Sequence, residues 1–534
     1  MLFSVWCLIA GLATALAHEG TKSHPIVDLA QRGIRSDRLD SLQLGASEDD
    51  AACYCALACD TLTGTFGPEQ VDVFGEQAYD AGLARFWSVQ QAQETKPRCF
   101  FHPLNAQEVS VAVLLSRATQ CPFAVRGAGH AAFKGASNSD GGLTIDFINM
   151  RHVVPSADRK SVALSPGNTW HDVYTALEKV NLTMVGGRVA SVGVGGLILG
   201  GGISFFSGQH GWACDNIVNY EVVVASGEIL EVNAVTEPDL YWALRAGGGN
   251  FGIVTQFVAN SFEQGLMWGG DRAWEMHSTK AALINAMIGY VENYDPKAAI
   301  IVSFAYAQAY NMWVSVTNLV YSDPQPAEGH PAVFDDFFAI ENAFQNTPRT
   351  TSHSDLTNDL EIMSPWGARE SYWMVTTHVD KQLASDIIDI FQEEVAPLTN
   401  FTDFVPAMSF QIISVAQRKA MLRNGGNAMG IGGGDKPLLI TNISARWALK
   451  SDDTAVLTAY HNFVTRVEEK SRARNLFHPF LYMNYASQWQ DPIASYGAEN
   501  KARLLEVSKK YDPEGVFQKL HPGYFKLAGA PLKW

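Results

Sequence analysis

Residues Pro122 to Met150 read PFAVRGAGHAAFKGASNSDGGLTIDFINM. The stretch opens as a short apolar strand, Phe123-Ala124-Val125. It tightens into a turn of small residues, Arg126-Gly127-Ala128-Gly129-His130. A breaker-rich loop follows, with Gly135, Ser137, Asn138, Gly141 and Gly142. A second strand, Leu143 to Phe147, closes it. Strand, glycine turn, loop and strand bring backbone amides close to an anion. The single reactive side chain in the turn is His130.

The stretch imitates the dinucleotide fingerprint G-x-G-x-x-G/A through Gly127, Gly129 and Ala132, and so does Gly247-Gly249-Gly252. Context rejects both, because that fingerprint must follow a strand and open a helix. After Ala132 the chain reads FKGASNSDGG, which cannot start a helix, and the Gly247 cluster leads into a strand. A third cluster, at 186–211, carries Ile198 where the last glycine belongs. No Walker A loop is present. Three glycine turns beside strands suit a long cofactor with a pyrophosphate, held largely by backbone.

Outward from this region the chain is large and acidic. Its 534 residues require two or more domains, and its net charge of −16, with no basic stripe, argues against nucleic acid and anionic membranes as partners. The N-terminal run MLFSVWCLIAGLATALA ends in Ala15-Leu16-Ala17 and predicts a signal peptide over 1–17, although it lacks a positive n-region. A secreted or lumenal protein is expected. Cys53, Cys55, Cys59, Cys99, Cys121 and Cys214 then remain, an even set that suggests disulfides. Cys59 with Cys99 is the pairing favoured, since it ties an N-terminal helix to a first strand; the others stay open. No metal site is expected, because no CxxC pair faces another. N-x-S/T sequons stand at Asn181, Asn400 and Asn442.

In order, residues 18–94 read as an extension with a helical lead-in, extended to about residue 50 and helical over Asp49–Leu62, and Phe86–Thr95 as a joining piece. Cys99–Phe101 is a predicted strand, and Asn105 caps a helix to Thr119. Val162–Leu164 is a strand, Thr169 starts a helix, and Asn219–Glu231 is a hairpin about Ser226-Gly227. Pro238–Arg245 is a short helix and Ile253–Val258 a strand. Boundaries of 95–267, 268–473 and 474–534 separate a cofactor domain, a second domain and a C-terminal segment. The second domain alternates strands such as AAIIVSFAYAQ and YWMVTTHV with helices at 381–395 and 453–471, predicting an antiparallel sheet covered by helices. The loop 425–436, GGNAMGIGGGDK, is flexible by composition and reads as a mobile surface loop, with a lid as the alternative.

Four motifs together carry a family resemblance: PFAVRGAGH…GGLTIDF, SVGVGGLILGGGIS…HGWACDNI, YWALRAGGGNFGIVT and YMNYA…YGAEN…KYDPEGVF. The chain resembles the berberine bridge enzyme-like FAD-linked oxidoreductases, within the vanillyl alcohol oxidase superfamily, and its fungal secreted members. The resemblance implies an α+β chain with a two-subdomain PCMH-type FAD-binding domain, a substrate domain with an antiparallel sheet, and a C-terminal motif returning to the flavin. It implies FAD joined covalently through its 8α-methyl to His130, with Arg126, Gly127, Ala128 and Gly129 at the pyrophosphate. Val192, Gly193, Gly195, Gly196 and Gly202 would line a second face, Ile253 and Val254 would offer backbone, and Asn484 with Tyr482 and Tyr485 would meet the ring system. Many members carry a second, cysteinyl tether; the corresponding position here is Val189, so a single histidyl link is expected. Leu197 stands where many members have histidine.

The implied chemistry is hydride transfer from a small organic substrate to the flavin while a base takes a proton. Tyr482 or Tyr485 is the candidate base, and a carboxylate on the substrate-domain sheet is an open alternative. Val192, at the family's oxygen-access position, favours an oxidase over a dehydrogenase, with molecular oxygen as partner. A secondary-metabolite alcohol, phenol or amine is the expected substrate. A carbohydrate oxidase is the alternative, and a non-catalytic binding module a third reading that retention of His130 and all three loops opposes. Substrate identity and oligomeric state are not legible.

Overall fold

The computed structural model describes residues 24–34 and 51–534. The predicted signal peptide and the Cys53 side chain lie outside these. Within the predicted extended lead-in, Pro25–Gln31 is helical, with proline at the start, where the missing N–H costs nothing. The next helix, Ala51–Phe66, carries Cys55 and Cys59 one turn apart. They pair with Cys121 and Cys99, so the Cys59–Cys99 expectation holds and a second bridge joins it. The bridges close loops of 66 and 40 residues, long enough for each to stabilise by about 3–4 kcal/mol on chain-entropy grounds. Cys214 is a free, buried thiol.

Three sheets follow in chain order. The first has strands β1 (Val71–Val73), β2 (Cys99–Phe101), β3 (Phe123–Arg126) and β4 (Leu143–Asp146), ordered β1-β2-β4-β3. β2 and β3 both run parallel to β4. The crossover between β2 and β3 is the helix Ala106–Thr119, whose N-cap Asn105 accepts from Glu108 N at 3.0 Å. Almost every residue of that helix is buried, which is why its sequence is apolar nearly all round.

The second sheet is antiparallel: β5 (Val153–Pro155), β6 (Ser161–Leu164), β7 (Leu182–Met184), β8 (Ile217–Val223), β9 (Ile229–Asn233) and β10 (Ile253–Glu263). Thr169 and Asp172 form a capping box at the helix Trp170–Glu178, as the sequence predicts for the helix start.

The third sheet has nine strands, all antiparallel: β11 (Met267–Glu275), β12 (Ala298–Ala307), β13 (Met312–Tyr321), β14 (Gln345–Asn346), β15 (Arg349–Thr351), β16 (Arg369–His378), β17 (Val405–Ile413), β18 (Leu438–Trp447) and β19 (Phe477–His478). Its two faces have separate fates, because strand side chains alternate. Trp373 and Val375 of β16, Met408 and Phe410 of β17, and Leu439 and Ile443 of β18 join one apolar cluster. That cluster includes the helices Met276–Glu292, Lys381–Val395 and Asp453–Ala473. The opposite face carries Tyr372, Gln411 and Asn442 and looks toward the glycine loops.

Tertiary packing decides two features that the sequence leaves open. The loop 425–436 is no lid: Ala428, Met429 and Ile431 are buried in the core, and Arg418 donates to the carbonyls of Ile431 (2.8 Å) and Lys436 (2.6 Å). Its glycines serve close packing, since a Cβ on Gly430 would lie 2.3 Å from Tyr496 O. Asn442 is buried within β18, leaving a glycan no room, whereas Asn181 and Asn400 are exposed.

Candidate functional site

The first wall is the turn after β3. Gly129 sits at φ 73°, and a Cβ there would come within 2.8 Å of Arg85 O, so glycine is required twice over. Opposite lies the second glycine loop. A Cβ on Gly193 would fall 2.9 Å from Ala128, and one on Gly195 would touch Pro166, while one on Gly196 would meet nothing within 4 Å. The loops therefore approach backbone to backbone and open at Gly196. Gly127 packs on Pro166 O, Val192 O accepts from Trp170 N, and Gly202, at φ 87°, closes the loop.

Arg126 behaves differently from its expected role. Its side chain is fully buried between the rings of Phe86 (4.3 Å) and Phe100 (4.7 Å). It donates to Asp146 Oδ2 at 2.5 Å and to Gly82 O at 2.7 Å. Arg126, Arg85 and His102 hold the Asp146 carboxyl well below its usual range, against the opposing effect of burial. The guanidinium is committed to this buried network, so Arg126 has only backbone to offer the cradle. Ile253 and Val254 are likewise buried at the start of β10, opposite Val223 and Val222, with a bulge just beyond.

His130 lies in a cage of tryptophans. Trp87 stacks on it at 4.4 Å and Trp366 meets it edge-on at 6.1 Å. Its Nε2 is buried with no protein partner. Burial lowers the imidazole pKa to about 4, with Glu361 opposing, so the ring is neutral at pH 7 and keeps a lone pair free.

The C-terminal motif separates the two tyrosines. The Tyr482 hydroxyl accepts from Gly202 N (3.1 Å), Ile203 N (3.2 Å) and Asn484 Nδ2 (2.9 Å). Burial, and then Tyr485, push its pKa above the ordinary phenol range. Asn484 also donates to Leu197 O at 3.1 Å, and its Oδ1 fills the space beside Gly200, where a Cβ would lie 2.0 Å away. Tyr482 and Asn484 therefore fasten the second loop. Tyr485 faces the third sheet instead. Its hydroxyl accepts from Arg188 at 2.8 Å and Gln411 Nε2 at 3.2 Å, and Arg188 also donates to Gln411 Oε1 at 2.7 Å. Tyr372 stacks on Tyr485 at 6.2 Å and touches Trp87 at 5.9 Å. A row of rings, His130, Trp87, Tyr372 and Tyr485, thus joins the turn to the sheet.

Comparison with known proteins accords with this geometry. Residues 97–233 match the FAD binding domain. The FAD-dependent monooxygenase tpcD of Cochliobolus heterostrophus is 36% identical over 509 residues, spanning 91% of this chain and 97% of the relative. The chain belongs to the family of FAD-dependent oxidoreductases that includes this relative. Among solved structures, 6-hydroxy-D-nicotine oxidase from Arthrobacter nicotinovorans shares the fold with a TM-score of 0.69 at 19% identity, covering 84% of this chain and 96% of that one. The berberine bridge enzyme from Eschscholzia californica does so with a TM-score of 0.68 at 17% identity, covering 86% and 97%.

The residues present fit a bound flavin. The cradle is backbone and glycine, open at Gly196, and the orphaned Nε2 belongs to a neutral imidazole at its edge. Val189 is half-buried and offers no nucleophile for a second tether. Sequence reasoning missed Trp87, Arg188, Tyr372, Gln411 and Glu370. Glu370 lies on β16 two residues before Tyr372 and on the same face. It is buried, its backbone is bonded by the Gln90 side chain, and burial pushes its carboxyl well above its usual range, opposed by Arg446 across the strand pair. Period-two alternation over 369–375 was the available signal; nothing local marks Trp87.

Proposed function

We propose that this protein is a secreted FAD-dependent oxidase of a small organic substrate, an alcohol, phenol or amine of secondary metabolism, with FAD joined to His130. The supporting observation is the Tyr485 hydroxyl, held by Arg188 and Gln411 on the face of the third sheet that looks toward the cradle. FAD, when bound, supplies the acceptor for a hydride from a substrate C–H bond. Tyr485 Oη, acting as the phenolate, takes the proton released from the substrate's O–H or N–H and becomes the phenol, and Gln411 and Arg188 hold that oxygen in place. Tyr372, part-buried beside Tyr485, supplies an aromatic ring next to that oxygen, and the buried Trp87 backs it. Electrons leave to molecular oxygen as hydrogen peroxide. Tyr482, whose hydroxyl is occupied by two backbone amides, serves the loop rather than the proton.

The two disulfides, together with the N-terminal apolar run, support passage through an oxidising compartment. Among the described residues no helix is long and apolar enough to cross a membrane.

The names of the fungal relatives favour a second reading, monooxygenation. Oxygen uptake with a panel of phenols, aromatic alcohols and sugars, run under ¹⁸O₂, separates the two. The oxidase reading expects one peroxide per substrate and no label in product. Label in the product overturns it in favour of the monooxygenase. Turnover of sugars alone would move the substrate class to carbohydrate.

A further inference from the structure

The cage around His130 is built by a segment far away in sequence. Between the helix His353–Glu361 and β16 the chain passes beside the imidazole. Trp87 Nε1 donates to Ser364 O at 3.2 Å, and Gly367 N donates to Trp87 O at 3.0 Å. Trp366, the edge-on partner of His130, donates its indole N–H to Glu361 Oε1 at 3.2 Å. The other oxygen of Glu361 accepts from Ser191 N at 3.0 Å and Ser191 Oγ at 2.5 Å. Ala190 N donates to Thr357 O, so the same helix grips the loop twice.

One carboxylate therefore joins the second glycine loop to an indole packed against His130. The proposed oxidation does not use it. It is also the acidic side chain whose field acts on the His130 ring, opposing the effect of burial.

We infer that Glu361 is a positioning residue for the attachment of FAD to His130. It fixes the loop at Ser191 and the cage at Trp366, holding the imidazole against the flavin's 8α carbon. Its negative charge favours the positive charge the ring acquires as its nitrogen bonds to carbon. The inference rests on the reading that His130 carries the flavin. In attachment a nitrogen–carbon bond forms, one methyl C–H bond breaks and the ring N–H proton leaves. The electron pair left behind passes to dioxygen, giving hydrogen peroxide. The absence of a thiol at Val189 leaves this single bond without a second tether, so its rate rests on the His130 surroundings alone.

The test uses the full chain produced under riboflavin limitation and then supplied with FAD. Flavin that stays with the protein after acid precipitation is followed over time, beside the visible spectrum of the native protein. Glu361→Gln is expected to bind FAD yet attach it at least ten-fold more slowly than wild type. Glu361→Asp should recover part of the rate, and Ser191→Ala should slow it two- to five-fold. A wild-type rate in Glu361→Gln overturns the inference. Should that variant fail to bind FAD, wild-type rates in both Glu361→Asp and Ser191→Ala overturn it instead. Covalent flavin in His130→Ala, or none in wild type, defeats the His130 reading itself, an outcome distinct from the others.

Discussion

The two walls of the site are built by opposite means. The cradle wall, 126–130 with 193–202, is short-range: strands end in glycine turns, and the backbones of Ala128 and Gly193 approach so closely that a side chain at Gly193 would not fit. Its specificity lies in missing side chains. The sheet wall is long-range: Tyr372, Gln411 and Glu370 come from strands paired across large sequence separations, and its specificity lies in which side chains face inward. In the proposed reading FAD meets the first wall and the substrate the second. The difference teaches that one wall is written in glycine-rich segments of the chain and the other in strand register.

If the walls divide labour in this way, variants on each should fail differently. The largest effect is expected at the cradle: His130→Ala should lose covalent flavin entirely, read as the absence of a fluorescent band on a denaturing gel. On the sheet wall, Tyr485→Phe should lower kcat by about 10²–10⁴ while leaving covalent flavin and its spectrum intact. Unchanged turnover would remove the proton from Tyr485 and blur the division.

Tyr482→Phe should behave as a cradle variant although it sits three residues away. It leaves the Gly202 and Ile203 amides without an acceptor, a cost of about 1–3 kcal/mol for each buried donor. A lower melting temperature is expected, with a smaller loss of kcat than in Tyr485→Phe. The reverse ranking would exchange the roles of the two tyrosines.

The smallest effect tests Glu370 through pH. Its folded carboxyl holds a proton to a pH well above the unfolded value near 4.5. The folded state therefore binds more protons in that window, and the stability this contributes is present below pH 4.5 and lost as pH rises through the folded pKa. Glu370→Gln should match wild type in melting temperature at pH 4 and exceed it at pH 8. A constant difference across pH would mean the carboxyl titrates alike in both states.

Much of the cradle was legible because its determinants are local. Asn105 and Thr169 announce their helices through capping chemistry, the 381–395 helix matches its expected limits, and β3, the turn and β4 follow the breakers in the sequence. Cys59 with Cys99 followed from placing one on a helix and the other on the first strand. What was not legible shares one cause, the tertiary partner of a local feature. Arg126 looked like an anion ligand and is spent on Asp146. The glycine-rich 425–436 is flexible by composition and is anchored in the core by Ala428, Met429 and Ile431. Asn442 carries a sequon and lies buried inside a sheet.

Residues Pro122–Met150 by themselves determined a glycine turn carrying one histidine beside a strand, since backbone conformation there depends on residues within a few positions. Only the tertiary structure decided that this histidine is neutral, caged by Trp87 and Trp366, and within the field of Glu361. It alone decided that Tyr485, rather than Tyr482, faces Gln411. Burial, charge and the direction of a strand face are set by whatever packs against a segment, and here those partners lie both before it, at Trp87, and far beyond it, at Glu361 and Trp366.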